Sequence, residues 1–459
     1  MTRQVSVKLY LSIIATGLMA FCGILIETAM NITFPTLMKQ FGVNTATVQW
    51  LTTGYLLIVS VFVPISSFLK RRFTTKQLFL TANLFFIVGL IICSLTNQFA
   101  LLLIGRLIQG IGTGIALPLM FNIILEQAPI NKIGFLMGIG TLVTAIAPAL
   151  GPTYGGLLVD INWHLIFGLL LIVMVIALIV GSFSITQVSK PQHIQLDLGS
   201  WFEVAIFFVG AILAFNTLAE SVVVPIVTGI IAIIGMGLFI ARSTKISNPI
   251  INMSIFKNAA FDFHLLSYLT FQIMNVGVAF ILPNYLQFVN HSTSLNAGLL
   301  LFPGAACGAV LAPLSGKLFD TLGAKKPIYI GLVLQGSGLI LLTVQALSAN
   351  VVTILVGYIL MMLGTGFAMG NIMTNGLSQM AREQNTDGNA AFNTLQQFAG
   401  ALGTAVVSLI ISVAQTPKNY ALSTALGAQH AFILLVILEV LNLIAISFGF
   451  RLAKKNQTS

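Results

Sequence analysis

The chain has 459 residues, of which 57% are hydrophobic and 7% charged; soluble domains carry roughly 25% charged residues, so an ordinary soluble fold is excluded in favour of a polytopic membrane protein. Its formal charge of +10 is spread over single bases and short clusters between apolar blocks, which excludes a nucleic-acid-binding domain. The three cysteines, Cys22, Cys93 and Cys307, all fall in apolar segments without Cys/His spacing, which excludes a disulfide framework and a metal site.

Apolar blocks of about 20 residues, each long enough to cross a hydrocarbon core of roughly 30 Å, recur along nearly the whole sequence. They predict an all-α integral membrane protein with fourteen spans. Short cytoplasmic loops hold the excess of Lys and Arg. With both termini cytoplasmic, nearly all bases lie inside, and Lys39 and Lys418 lie outside. The expected division is residues 1–190 as an N-terminal six-helix bundle, 191–245 as an extra two-helix insertion, and 246–459 as a C-terminal six-helix bundle.

The first span contains Glu27, with no charge between it and Lys8. A carboxylate at bilayer depth costs at least roughly 3 kcal/mol, so such residues face a protein interior or a wet cavity and carry function. The span runs outward and ends near Phe34, which places Glu27 about seven residues, or roughly 10 Å, from the outer edge. The second span closes on Pro64 and opens a basic loop with Lys70, Arg71 and Arg72. Arg106, in the fourth span, lies at nearly the same depth as Glu27 and is its expected partner. Burial disfavours a charged carboxylate and a nearby arginine favours it. A moving Arg106 therefore switches the proton affinity of Glu27.

Glycines follow Arg106 at helical spacing, at Gly110, Gly112 and Gly114, and permit close helix approach. The fifth span holds Pro148, Gly151, Pro152, Gly155 and Gly156, where prolines remove helix donors and glycines allow bending. In the second half, Pro313 again ends a span, and Gly316, Asp320, Gly323 and Lys325 follow in a basic loop. There Asp320 is an acceptor for a helix N-terminus or a base, and Gly323 permits the turn. This internal repeat is the mark of alternating-access transporters, which handle substrate between two halves. Glu439, deep in the last span, is expected to be hydrogen-bonded and structural.

The candidate substrate-cavity residues are uncharged: Asn31, Gln49, Tyr55, Gln109, Tyr154, Gln272, Met274, Asn275, Tyr285 and Gln396. Polar groups fix ligand orientation while flexible apolar walls tolerate varied ligands. No clustered HxxxH, DxxD or Ser/His/Asp arrangement is present, and Gly316-Lys317 lacks the rest of a phosphate loop. The chain is therefore not expected to be an enzyme or to need a cofactor.

Several of these motifs resemble those of the major facilitator superfamily. The run from Gly316 to Lys326 is similar to its G-x-L-x-D-x-x-G-x-K/R loop, whose first copy here departs, with Arg71 at the aspartate position and Thr74 at the turn glycine. Arg106, Gln109, Gly110 and Gly112 match R-x-x-Q-G-x-G, and residues 147–156 look like the GPxxGG stretch of its antiporters. Residues 27–35, 49–55, 283–287 and 393–405 resemble one branch of the fourteen-span drug:proton antiporters. This resemblance implies the major facilitator fold, with two six-helix bundles plus two extra central helices in a bacterial cell membrane. It implies export of small amphipathic, drug-like compounds in exchange for protons, by a protein that sits among membrane lipids and works as a monomer. An exporter or flippase of one endogenous metabolite or lipid would have the same motifs.

Overall fold

The computed structural model describes residues 6–458 except 44, 189, 193, 218–222, 247, 248 and 349. The side chains of 31, 32, 35, 45, 46, 49, 145, 149, 152, 160, 215, 216, 294, 295, 401, 405, 408, 412, 417 and 454–458 lie outside that description. Among the described residues the chain is helical throughout, with no strands. The first helices are α1 (Val7–Phe41), α2 (Thr45–Phe62), α3 (Ser66–Arg72), α4 (Thr75–Leu95), α5 (Phe99–Gln127), α6 (Ile133–Asn162) and α7 (His164–Ser184). A pair follows, α8 (Leu198–Asn216) and α9 (Val223–Ser243). The last are α10 (Ala259–Phe288), α11 (Ser294–Leu322), α12 (Lys325–Gln345), α13 (Val351–Ser378), α14 (Asn385–Ala414) and α15 (Tyr420–Thr458).

Helices are the expected answer to an apolar sequence, because hydrocarbon offers no partner for a free backbone group. Polar caps mark the points where the chain leaves that environment. Thr74 and Gln77 form a reciprocal capping box at the start of α4, and Asn258, Thr293 and Asn350 cap α10, α11 and α13. Gly42 ends α1 at φ +63°, and Gly323 ends α11 at φ +79°, a region closed to most side chains. The turn role expected of Gly323 is therefore its place in the structure.

Twelve helices among the described residues are long and apolar enough to cross a membrane. The second expected span is not straight: α2 bends by 51° into α3, and counting this pair as one span gives thirteen. Pro64, which lacks a backbone donor, stands in the break. The apolar stretch of α8, Leu198–Ala214, is shorter than the other spans.

The packing pattern of the first helices recurs in the last ones. Thus α1 packs on α6 and α7, α4 on α5 and α7, and α2 on α5; correspondingly, α10 packs on α14 and α15, α12 on α13 and α15, and α11 on α13. The two sets meet where α6 crosses α11 and α13, and where α5 and α3 reach α14. Between them in sequence, α8 and α9 form an antiparallel hairpin: Gly210 faces Thr228 and Ala232, while Gly235 faces Glu203 and Phe207. Its ends on the basic side are tied by Arg242, whose Nε and NH2 donate to Asp197 at 2.6 and 2.7 Å. That guanidinium holds the Asp197 carboxyl well below the usual carboxylate range.

Candidate functional site

Arg106 is fully buried, and its surroundings explain how a guanidinium survives at this depth. Nε donates to the Leu51 carbonyl on α2 at 3.1 Å, and NH1 donates to Gln109 Oε1 one turn along α5 at 2.7 Å. The Tyr55 ring lies 4.1 Å beneath the guanidinium carbon, a cation–π contact strengthened by desolvation. The Tyr55 hydroxyl in turn reaches the Gly23 carbonyl of α1 and the Thr113 hydroxyl of α5, each at 2.8 Å. The remaining nitrogen, NH2, has no hydrogen-bond partner among the described residues. Arg106, Gln109 and Tyr55 thus form one polar node that joins α1, α2 and α5. Neither Tyr55 nor Gln109 lines the open cavity described below.

The glycines after Arg106 let this node close. Gly110 and Gly114 face α2 at Tyr55, Ile58, Val59 and Phe62, whereas Gly112 faces Ala82 and Phe86 of α4. A methyl group at Gly112 would lie 2.6 Å from the Ala82 carbonyl oxygen. The spacing read from the sequence as a close-packing device therefore serves two neighbours at once.

Glu27 lies on α1 near enough to Arg106 for the two charges to act on each other, yet no ion pair within 4.0 Å joins them in this conformation. The direct neighbours of its helix turn are on α6. Gly151 is pressed against Thr28 and Ala29, and a methyl group at Gly155 would lie 2.7 Å from the Ala29 carbonyl oxygen. The proline- and glycine-rich segment of α6 therefore rests on the residues that immediately follow Glu27. Tyr154 secures the same helix by donating to the Ile166 carbonyl of α7 at 2.8 Å, and does not line the open cavity. Gly156 lies in the same helical stretch. The side chains of Asn31, Gln49 and Pro152 lie outside the described residues.

The preceding turns of α6 line a cavity of about 280 Å³, shared with α10, α11, α13 and α14. From α6 come Thr141, Thr144 and Pro148. Of the expected cavity residues, Gln272, Asn275 and Gln396 are in its wall. Gln396 Nε2 approaches Gln272 Oε1 at 3.5 Å, and the Thr365 hydroxyl donates to Asn275 Oδ1 at 2.8 Å. Met274 is buried in the core beside this wall, and Tyr285 is buried with its hydroxyl donating to the Ala346 carbonyl at 2.6 Å. Sequence reasoning missed Thr365, Tyr358 and Met369 on α13. Their signal was weak: a threonine, a tyrosine and a methionine in an apolar span are common packing residues.

At the end that carries the basic loops, polar contacts close the two sets of helices on each other. Asp320 accepts from the backbone N–H groups of Gly134 and Phe135, at 3.0 and 3.1 Å, at the N-terminus of α6. Gly316 and Gly134 are in backbone contact, and Lys325 begins α12 just after Gly323. The first copy of this loop is also engaged, with opposite polarity. Ser67 donates to Asp387 near the start of α14, the Asn252 N–H approaches the same carboxylate at 3.4 Å, and Arg71 donates to the Pro249 carbonyl at 2.6 Å. Lys70, only 4% exposed, pairs with Glu126 at 2.8 Å. Asn389 donates to Asn122 Oδ1 at 2.7 Å and to the Pro118 carbonyl at 3.1 Å.

Each carboxylate should therefore hold this end shut. Asp320→Asn and Asp387→Asn are each expected to weaken closure by about 1–2 kcal/mol, the scale of a hydrogen bond to a charged group. Distances between spin labels on α6 and α11 would report it as a shift toward the separated population. Unchanged distance distributions in both variants would remove the latch role.

Glu439 is 5% exposed and lies against Gly336 of α12, where Asn442 donates to its Oε2 at 3.4 Å. It does not line the 280 Å³ cavity. No group of three or more His, Cys, Asp or Glu side chains suited to hold a metal occurs among the described residues.

The comparisons with known proteins agree with this architecture. The chain is 37% identical over 454 residues to the lincomycin resistance protein LmrB of Listeria monocytogenes, covering 95% of this chain and 96% of that protein. It is 28% identical over 420 residues to the multidrug resistance protein B homolog of Mycobacterium tuberculosis, covering 87% and 77%. The structure of the proton:xylose symporter XylE superposes with a TM-score of 0.69 at 14% identity, covering 98% of this chain and 96% of that one, and shows the shared fold. The family model described as Major Facilitator Superfamily matches residues 16–404. With its apolar spans, its repeated helix packing and these relatives, the chain is a multi-pass cell-membrane transporter that belongs to the major facilitator superfamily.

Proposed function

We propose that this protein is a proton-coupled multidrug efflux antiporter that exports small amphipathic compounds by alternating access. The observation that carries the reading is the double contact of α6. One stretch of it, at Gly151 and Gly155, rests on Thr28 and Ala29, next to Glu27, and the turns just before that stretch form a wall of the cavity through Thr141, Thr144 and Pro148. A change of charge at Glu27 that shifts α1 therefore moves a wall of the substrate site. In this reading Glu27 carries the proton, and Arg106, already held by Leu51, Gln109 and Tyr55, tunes its affinity. No cofactor is required, because the proton gradient supplies the driving force.

The proposed topology has fourteen spans with both termini cytoplasmic. It counts α2 and α3 as one bent span and α8 as a short one. The proposed units are residues 1–190 and 246–459 as the two bundles, with 191–245 as an inserted hairpin, acting together as a monomer. With the basic loops inside, the conformation described above is closed toward the cytoplasm, and its cavity belongs to the outward-facing half of the cycle.

The names of the relatives make lincomycin the first substrate to test, with ethidium as a fluorescent second. Liposomes containing the protein and an acidic lumen should accumulate both compounds, and an ionophore that collapses the gradient should abolish accumulation. Accumulation that ignores the gradient would sink the antiport reading. Within the cavity, Asn275→Leu removes the acceptor for Thr365 and a polar group facing the ligand. It should raise the apparent KM about tenfold, equivalent to one polar contact of about 1.4 kcal/mol. An unchanged KM across the substrate panel would place binding elsewhere.

A further inference from the structure

The α8–α9 hairpin is attached to the rest of the protein mainly through α8. Trp201 Nε1 donates to the Val61 carbonyl of α2 at 3.1 Å, and Phe207 meets Phe398 of α14 with ring centroids 5.6 Å apart. By contrast, α9 packs principally on α8. Beneath the hairpin is a cavity of about 410 Å³. Val204 and Phe208 of α8, Met236 and Phe239 of α9, and Ala391 and Thr394 of α14 form its main walls. Pro64, at the bend after α2, reaches it as well. Thr394 is the polar residue of the lining, and its hydroxyl has no hydrogen-bond partner among the described residues.

A space of this size and chemistry has few possible occupants. Water needs two to four polar partners to remain in a cavity, and this lining offers almost none. An empty apolar space forfeits the dispersion contacts of every wall atom. The cavity opens at the surface, where Ile240 and Phe256 contribute to its lining while 46% and 39% exposed. Both residues stand at the basic end of the hairpin, Ile240 in the last turn of α9 and Phe256 in the short turn that precedes α10. In the proposed topology this end meets the cytoplasmic leaflet, and the apolar medium within reach of the mouth is acyl chain.

The chain also supplies charge at this mouth. Lys257 directly follows Phe256, and Lys245 lies one to two turns beyond Ile240. Both are exposed, and neither belongs to an ion pair among the described residues. Arg242, in the last turn of α9, is already committed to Asp197. Two uncommitted ammonium groups beside an apolar slot match a phosphate above an acyl chain, and basic groups at this level attract anionic lipid.

The geometry points to a binding site for an anionic glycerophospholipid, with one acyl chain in the cavity under the hairpin and its phosphate between Lys245 and Lys257. The site stands on the membrane placement of the chain and is independent of proton coupling at Glu27. Its occupant wedges between the hairpin and α14, the helix whose N-terminal turn carries Asp387.

Native mass spectrometry of the purified full-length protein, titrated with phosphatidylglycerol or phosphatidylcholine, tests this assignment. The wild type should retain phosphatidylglycerol in preference. Ala391→Phe and Val204→Phe fill the cavity from opposite walls, and each should lower lipid retention at least about tenfold. The surface double variant Lys245→Ala/Lys257→Ala, which leaves the cavity intact, should keep lipid binding but lose the preference for phosphatidylglycerol. The assignment is overturned by equal retention of the two lipids in the wild type, or by a preference that survives the lysine substitutions. Full retention in either filled variant overturns it too. Displacement of the lipid by ethidium would reassign the cavity to transported substrate.

Discussion

Liposomes containing Glu27→Gln are expected to bind lincomycin but to show no accumulation driven by an acidic lumen, at the level of protein-free vesicles. The amide keeps the size and most of the polarity of the acid while removing its titration. An embedded carboxylate is costly enough to imply use, and burial of the uncharged amide is less expensive. Folding should therefore be unharmed, with thermal stability equal to or above that of the wild type. Binding measured in detergent should persist and should lose its dependence on pH, because the group that titrates is gone. The sign is fixed by antiport: in the wild type, substrate binds better when Glu27 has lost its proton, and binding weakens as pH falls. If Glu27→Gln still concentrates substrate against a gradient, or if its binding keeps the wild-type pH dependence, Glu27 is not the carrier.

The second large effect is expected at Gly155. A side chain there meets the Ala29 carbonyl oxygen and neighbouring backbone, and backbone cannot rotate away as a side-chain tip would. Gly155→Val must push α6 from α1, an overpacking cost of about 1–3 kcal/mol. The variant should still insert and still bind substrate, because Thr141, Thr144 and Pro148 face the cavity from a different part of the helix. Its gradient-driven accumulation should fall at least about tenfold, while Gly155→Ala falls less. Transport by Gly155→Val at the wild-type rate would show that close contact between α1 and α6 is unnecessary for coupling. The variant also separates two roles of the segment, since a mere kink would tolerate the added methyl groups.

Much of this arrangement was legible in the sequence because membrane burial makes certain residues conspicuous. Arg106 and Glu27 stand out against apolar neighbours, and the glycines after Arg106 mark a crossing whatever the partner helix. The partners themselves were not legible. Spacing placed Arg106 and Glu27 at equal depth, but not the fact that Leu51, Gln109 and Tyr55 would occupy the guanidinium. Tyr55 and Gln109 read equally well as cavity residues, because a polar side chain in a span satisfies the same energetic rule by meeting ligand or by meeting another helix. The wall contributed by Thr365 and Tyr358 depends on how α13 is rotated against α6, and that rotation is a property of the assembled bundle. The pairing of Asp387 with Ser67 was not legible either, since that contact joins residues from opposite halves of the chain.

The paired loops at the basic end differ in what a mutation is able to remove. Asp320 is received by peptide N–H groups of Gly134 and Phe135, donors that every residue except proline provides. Asp387 is received by the hydroxyl of Ser67, a donor that a single base change can erase, with the Asn252 peptide N–H farther off at 3.4 Å. One fastening thus draws its donors wholly from the backbone and the other mainly from a side chain. Variation among related chains should accordingly accumulate at the Ser67 side, making it the place where the resting balance of the cycle is adjusted without touching the backbone-held contact opposite.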